Sequence, residues 1–177
     1  DNIFEDPQEF HSFCRSVKKD AEAWRVEEKI DEKILELESK LLEGEGLVLY
    51  GSVANGVFVR GSDLDYCYTG GDFRGFVGRV GGKMVGKGGD KAECKIGSVE
   101  VDFTTMSAIH ALNDPNFFSM NEHQKTMYRG LKKRLSSSVG GWMNLPSPVL
   151  VCMVKSLPVM SESTRASMAS ESTPNPM

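Results

Sequence analysis

Two aspartates separated by one residue, Asp63-Leu64-Asp65, follow a Tyr50-Gly51-Ser52 segment after a spacer of ten residues. In an extended strand, side chains alternate between faces, so Asp63 and Asp65 point the same way. Two carboxylates that close repel, and the pair is costly unless positive charge sits between them. A hard divalent cation, Mg²⁺ or Mn²⁺, meets that need, because it takes oxygen ligands and is commonly held by one or two carboxylates plus substrate phosphates.

A third acid comes from the stretch Lys91 to Thr104, which reads as a hairpin around Gly97-Ser98. A two-residue turn there sets Ile96 opposite Val99, Cys94 opposite Val101 and Ala92 opposite Phe103, all apolar and on one face. Lys95 then meets Glu100, and Glu93 meets Asp102, on the other face. If this strand lies beside Leu64 to Tyr68, Asp102 joins Asp63 and Asp65. Three carboxylates can hold two metal ions, one activating an attacking hydroxyl and one stabilising a leaving pyrophosphate. Gly51-Ser52, between a strand and a helix start, exposes backbone N–H groups suited to phosphate oxygens; the Ser52 hydroxyl adds a donor, and Asn55 and Gly56 could extend the cradle.

The stretch Leu49 to Tyr66, with Asp102 downstream, resembles the DNA polymerase beta superfamily of nucleotidyltransferases. Their pattern is a hydrophobic residue, Gly-Gly or Gly-Ser, a spacer of about ten, then Asp-hydrophobic-Asp or Glu, with a third carboxylate on a later strand. Within that superfamily, Gly51-Ser52-Val53-Ala54-Asn55-Gly56 and Ser62-Asp63-Leu64-Asp65 are most similar to terminal uridylyltransferases and cytoplasmic poly(A) polymerases. The resemblance implies transfer of a nucleoside monophosphate from NTP to an RNA 3′-hydroxyl. It implies a triphosphate role for Gly51 and Ser52, shared metal binding by Asp63 and Asp65, and activation of the 3′-hydroxyl by Asp102. The match runs over roughly residues 20 to 105. It departs from the family pattern in the Gly-rich stretch of residues 70 to 89, and the family's helical second domain is not recognisable after Thr105.

The elements that must position these residues are legible to different degrees. Asp6-Pro7-Gln8-Glu9 reads as a helix start, with a cap, a Pro at the first helical position and a Glu closing a capping box. A second amphipathic stretch runs from about Asp20 to Leu42, with Val26, Ile30, Ile34, Leu37 and Leu41 as its stripe. Leu47 to Tyr50 reads as a buried strand, Val53 to Phe58 as a short helix and Leu64 to Tyr68 as a strand. Between Gly70 and Gly89 a weak helix over about Asp72 to Met84 competes with a mobile loop, since each helical Gly costs roughly 1 kcal/mol relative to Ala. Ser119-x-x-Glu122 reads as the capping box of a helix reaching about Leu135.

The expected architecture is α/β (α+β): a small mixed β-sheet with helices packed on one face and the acids on the other. Residues 1–110 are expected to form the nucleotidyltransferase catalytic domain, residues 111–157 a partial helical region belonging to a truncated second domain, and residues 158–177, rich in Ser, Thr, Met and Pro, a disordered tail.

The 177 residues are 40% hydrophobic and 26% charged, with a net charge of −4. A chain of this charge does not grip nucleic acid by bulk attraction, so any such contact must be local. Cys14, Cys67, Cys94 and Cys152 are widely spaced, form no C-x-x-C pair, and read as buried free thiols in a reducing compartment. No signal peptide or membrane span is visible. The expectation is an intracellular protein, cytoplasmic or nuclear, with NTP and an RNA 3′ end as partners and no membrane. The chain begins at Asp1, as a fragment or processed form would.

Taken singly, an Asp-x-Asp pair is usually a solvated strand edge and a Gly-Ser turn just a turn; their joint occurrence with Asp102 favours the metal site. Glu100 reads as an ion-pair partner of Lys95, and Glu93 as an outer group or a solvated one. The basic residues Lys125, Arg129, Lys132, Lys133 and Arg134 read as a solvated helix face before an RNA groove. Tyr66, Tyr68 and Trp142 read as core and Tyr128 as a stacking candidate. His11, His110 and His123 belong to no catalytic constellation. Two rival functions remain: a minimal nucleotidyltransferase that modifies a protein or small molecule, and a truncated, non-catalytic interaction module.

Overall fold

A computed structural model describes residues 6–106, 120–136 and 153–155. The chain divides into two compact units, one formed by Glu22–Asn113 and the other by Asp1–Ala21 with Asp114–Met177.

The first unit is built on a five-stranded mixed sheet. Its strands are β1 (Gly46–Tyr50), β2 (Leu64–Thr69), β3 (Lys83–Met84), β4 (Lys91–Ile96) and β5 (Val99–Thr105), in the spatial order β1-β2-β5-β4-β3. Only β2 and β5 run parallel; the other neighbours are antiparallel. The hairpin forms in the register that polarity dictates: Ile96 pairs with Val99, Cys94 with Val101, Ala92 with Phe103, Lys95 with Glu100 and Glu93 with Asp102. Slipping it by one residue would bring Glu100 and Asp102 to the face where Val99, Val101 and Phe103 are buried.

That buried face carries Leu64, Tyr66 and Tyr68 from β2 beside Val101 and Phe103 from β5. Helix α4 (Phe73–Arg79) packs against it. Phe76 meets Phe103 edge-on with ring centroids 5.2 Å apart and stacks on Tyr68 at 5.0 Å, while Phe73 lies 5.5 Å from Tyr68. The weak helix of the Gly-rich stretch therefore forms, but over seven residues only. Gly75 and Gly78 together cost about 2 kcal/mol, whereas burying Phe73, Phe76 and Val77 returns about 1.5–3 kcal/mol each. Asp72 caps the helix by accepting the Gly75 N–H at 3.0 Å.

The helical stretch expected over residues 20 to 42 is not one helix. α1 (Pro7–Glu27) runs through residue 20 without a break, and α2 (Ile30–Glu38) follows a bend at Lys29, whose φ of 52° is left-handed. Lys33 Nζ donates to the Glu28 carbonyl oxygen and so caps the end of α1. Of the expected stripe, Ile30 and Leu37 are buried but Val26 is 77% exposed; Trp24 takes its place and packs on Phe58 at 6.0 Å. Two further boundaries shift. β1 is an edge strand paired only with β2, which leaves Val48 exposed, and the short helix α3 starts at Gly51 and ends at Ala54.

In the second unit, α1 begins as its sequence suggests, with Asp6 Oδ1 accepting the Gln8 N–H at 3.0 Å. Helix α5 (Glu122–Ser136) is capped by a different box from the one expected. Asn121 Oδ1 accepts the Gln124 N–H at 2.8 Å, and Gln124 Oε1 accepts the Asn121 N–H at 3.0 Å. Two residues of closer spacing to the helix thus do what Ser119 and Glu122 were expected to do. α5 meets α1 where Gly130 lies against Cys14; a Cβ at Gly130 would stand 3.0 Å from the Cys14 backbone. The basic face of α5 is not simply solvated: Arg129 is 4% exposed, and the Arg134 guanidinium lies 4.2 Å from the Phe13 ring centroid. Tyr128 is buried and offers no stacking platform. The tail at 158–177, Trp142, His110 and Cys152 lie outside the described residues.

Candidate active site

The face of the sheet opposite the aromatic core carries the acids. The parallel pairing of β2 with β5 sets Asp65 directly beside Asp102, and β4 places Glu93 on the other side of Asp102. Asp63, just before β2, hydrogen-bonds to the Asp102 side chain. Asp65 packs against the turn after β1, where a Cβ on Gly51 would stand 2.4 Å from Asp65 Oδ2. With φ at +76°, Gly51 is also in the left-handed region that glycine tolerates best. The alternation of strand side chains thus brings all five predicted site residues to one end of the sheet: Gly51 and Ser52 at the turn, Asp65 against it, and Asp102 and Asp63 in contact.

Burial and the neighbouring Glu93 push the Asp102 carboxyl above its ordinary value, Asp63 opposes this by hydrogen bonding, and Glu100 adds to the rise. A hydrogen bond between two carboxyl groups needs a proton on one of them, and a divalent cation is the other way to offset the same crowding of negative charge. The donor set, three aspartate side chains with hard oxygens, fits Mg²⁺ or Mn²⁺ and not a thiolate- or imidazole-seeking ion. Among the described residues no three His, Cys, Asp or Glu side chains are grouped so that they could hold a metal ion. Asp63 and Asp102 touch each other, while Asp65 leans on Gly51.

α3 is only four residues long, so its dipole is small. The Asn55 side chain donates to the Gly51 carbonyl at 2.7 Å and so braces the turn.

Two features were not anticipated. Tyr50 pairs with Asp65 in the register, and its hydroxyl reaches Thr104 on β5 at 3.4 Å, crossing the acid face over β2. Burial raises its pKa, against the Thr104 hydrogen bond, and Asp65 and Asp102 raise it further. Only the register of β1 on β2 places Tyr50 with Asp65, and neither strand's own alternation shows it. Glu93 has a partner, Lys83 Nζ at 3.3 Å from β3, whereas Lys95 and Glu100 face each other in the register without an ion pair. Beyond Asp102, on the β4–β3 side, lies a concavity of about 330 Å³ lined by Lys83, Glu93, Lys95, Glu100 and Asp102, with Gly81 and Cys94 at its margin.

A mixed sheet with carboxylates on neighbouring parallel strands, beside a glycine turn opening a helix, defines a nucleotidyltransferase fold. The family model described as Nucleotidyltransferase domain matches residues 28–126, and the chain belongs to that family. Solved structures share the fold at low identity. A cytoplasmic RNA terminal U-transferase superimposes with a TM-score of 0.51 at 19% identity, over 73% of this chain and 47% of its own. The Cid1 poly(U) polymerase gives 0.51 at 17% identity, over 73% and 48%, and Cid1 in complex with the UTP analog UMPNPP gives 0.50 at 15%, over 73% and 46%. The chain therefore spans about half the length of these enzymes. No curated protein matches the sequence. Among the described residues no helix is long and apolar enough to cross a membrane.

Proposed function

We propose that this chain carries the catalytic half of a metal-dependent enzyme that adds nucleoside monophosphates from NTP to an RNA 3′ end, as an RNA uridylyl- or adenylyltransferase does. The observation that carries the reading is the β2–β5 register, which puts Asp65 beside Asp102 while Asp63 bonds to Asp102 and Gly51 closes on Asp65. Asp63 and Asp65 would hold Mg²⁺ or Mn²⁺ between them, with Asp102 as the third ligand. Such an ion, when bound, neutralises the triphosphate and makes the acceptor hydroxyl more acidic.

The chain's own groups supply the rest. The N–H groups at Gly51 and Ser52, with the Ser52 hydroxyl, would hold triphosphate oxygens at the β1 side of the acids. Asp102, on the far side of Asp65 from that turn, orients the attacking 3′-hydroxyl. Tyr50, laid across the same face to Thr104, limits water beside Asp65.

The test is incubation of the purified chain with Mn²⁺ or Mg²⁺, each labelled NTP in turn, and either short RNA or protein acceptors. Label on RNA that is lost in Asp63→Ala and Asp102→Ala, with both variants still melting cooperatively, is the expected result. Label on protein in place of RNA would reassign the acceptor, and incorporation retained by both variants would remove the assignment.

A further inference from the structure

The strand order sorts the site into two sides. The glycine turn follows β1, at one edge, while the 330 Å³ concavity lies beyond Asp102 toward β3, at the other. On the proposed reading, triphosphate sits at the turn and the attacking hydroxyl at Asp102, which leaves the concavity as the space an acceptor's last nucleotide enters. Its volume falls at the small end of pockets that take small organic ligands.

Its charges argue about which part of that nucleotide it meets. Two lysines, Lys83 and Lys95, stand against three acids, Glu93, Glu100 and Asp102. Lys83 is already committed to Glu93 at 3.3 Å. A phosphodiester would find no surplus of positive charge here, whereas a neutral base edge loses nothing by entering. Lys95 and Glu100 are exposed, directly opposite in the β4–β5 register, and neither side chain makes an ion pair or hydrogen bond among the described residues. One carries donors and the other acceptors, at facing positions of one strand pair. Nucleobases differ in the order and placing of donors and acceptors along their edges, so bonds to charged side chains of this kind discriminate between bases.

We propose, resting on the reading above, that Lys95 and Glu100 contact the base of the acceptor's 3′-terminal nucleotide and set which terminal base the protein prefers. A residue on a phosphate weakens all sequences alike, whereas a residue on a base relaxes specificity at that position. One hydrogen bond to a charged group changes affinity by roughly tenfold.

The test measures fluorescence anisotropy of labelled oligouridylates that differ only in the 3′-terminal base (A, C, G or U), with the full chain, Mg²⁺ and a non-hydrolysable NTP analogue. Wild-type protein should prefer at least one terminal base, and Lys95→Ala and Glu100→Gln should each flatten the preference by roughly fivefold or more. Lys87→Ala, an equal charge loss at an exposed residue outside the concavity, should keep it. A uniform loss across all four oligomers, a preference unchanged in both variants, or no oligomer binding would each overturn the inference. Calorimetric binding of the NTP analogue with Mg²⁺, run on the same proteins, separates the two levels. If it is intact while the base preference does not respond, only this inference falls; if wild-type protein shows no metal-dependent nucleotide binding, the functional reading falls with it.

Discussion

Gly51 holds two requirements at one atom. Its φ of +76° disfavours any residue with a Cβ, and that Cβ would stand 2.4 Å from Asp65 Oδ2. Gly51→Ala is therefore expected to cost about 1 kcal/mol or more in stability and, by displacing the Asp65 carboxylate, to remove Mn²⁺-dependent nucleotide binding. Chemical denaturation and calorimetry on the same sample check both parts; a variant that binds nucleotide as wild type does would detach Asp65 from the proposed site. At this scale the sequence was informative because strand alternation is rigid: a hairpin whose polarity admits one register sets Asp102 on the polar face of β5, while the parallel pairing that brings Asp65 beside it is a property of the folded sheet. Tyr50 escaped notice because its role depends on reaching a strand two positions away, to Thr104, which alternation within one strand does not reveal. The Lys95–Glu100 ion pair, expected from their register, does not form; facing Cα positions fix proximity but not the rotamers of two long exposed side chains.

Helices were read less well than strands, and the bend at Lys29 shows why. Nothing in Glu27-Glu28-Lys29-Ile30 is a glycine or a proline, so periodicity runs straight through it. The bend exists because Ile30 is fully buried and because Lys33 caps the Glu28 carbonyl, both tertiary facts. A non-glycine residue at φ 52° carries a conformational cost. Lys29→Gly should thus stabilise the protein, by up to about 1 kcal/mol after the entropy glycine adds to the unfolded chain. A raised denaturation midpoint at unchanged slope is the expected result, and a lowered one would mean that the Lys29 side chain contributes more than its backbone costs. α4 illustrates the opposite override: composition left a weak helix in competition with a loop, and three apolar residues at positions 73, 76 and 77 outweighed two glycines by reaching the aromatic cluster on β2 and β5. Single-sequence propensity sees the glycines but not the surface that the phenylalanines find.

At the scale of the whole molecule, Glu45 joins several elements through one carboxylate. Its side chain is 9% exposed and accepts from the Arg79 guanidinium, the Tyr68 hydroxyl and the Leu42 N–H. These bonds tie the connection before β1 to α4 and β2. The Arg79 bond, then the Tyr68 bond, hold the Glu45 carboxyl down at about 2, against an ordinary value of 4.5. A depressed carboxylate stabilises the folded chain fully above its unfolded value, and the contribution fades as pH falls through the folded one. The window is therefore from pH 4.5 down to about 2. Other carboxylates titrate over the same range, so wild type alone does not isolate the effect; the difference from Glu45→Gln does. The variant should melt below wild type at neutral pH, and the gap should close steadily between pH 4.5 and about 2. A gap that stayed constant over that range would mean that Glu45 acts through shape and neutral hydrogen bonding, and that its charge contributes nothing to holding β1, the strand leading into the Gly51 turn, against the rest of the sheet.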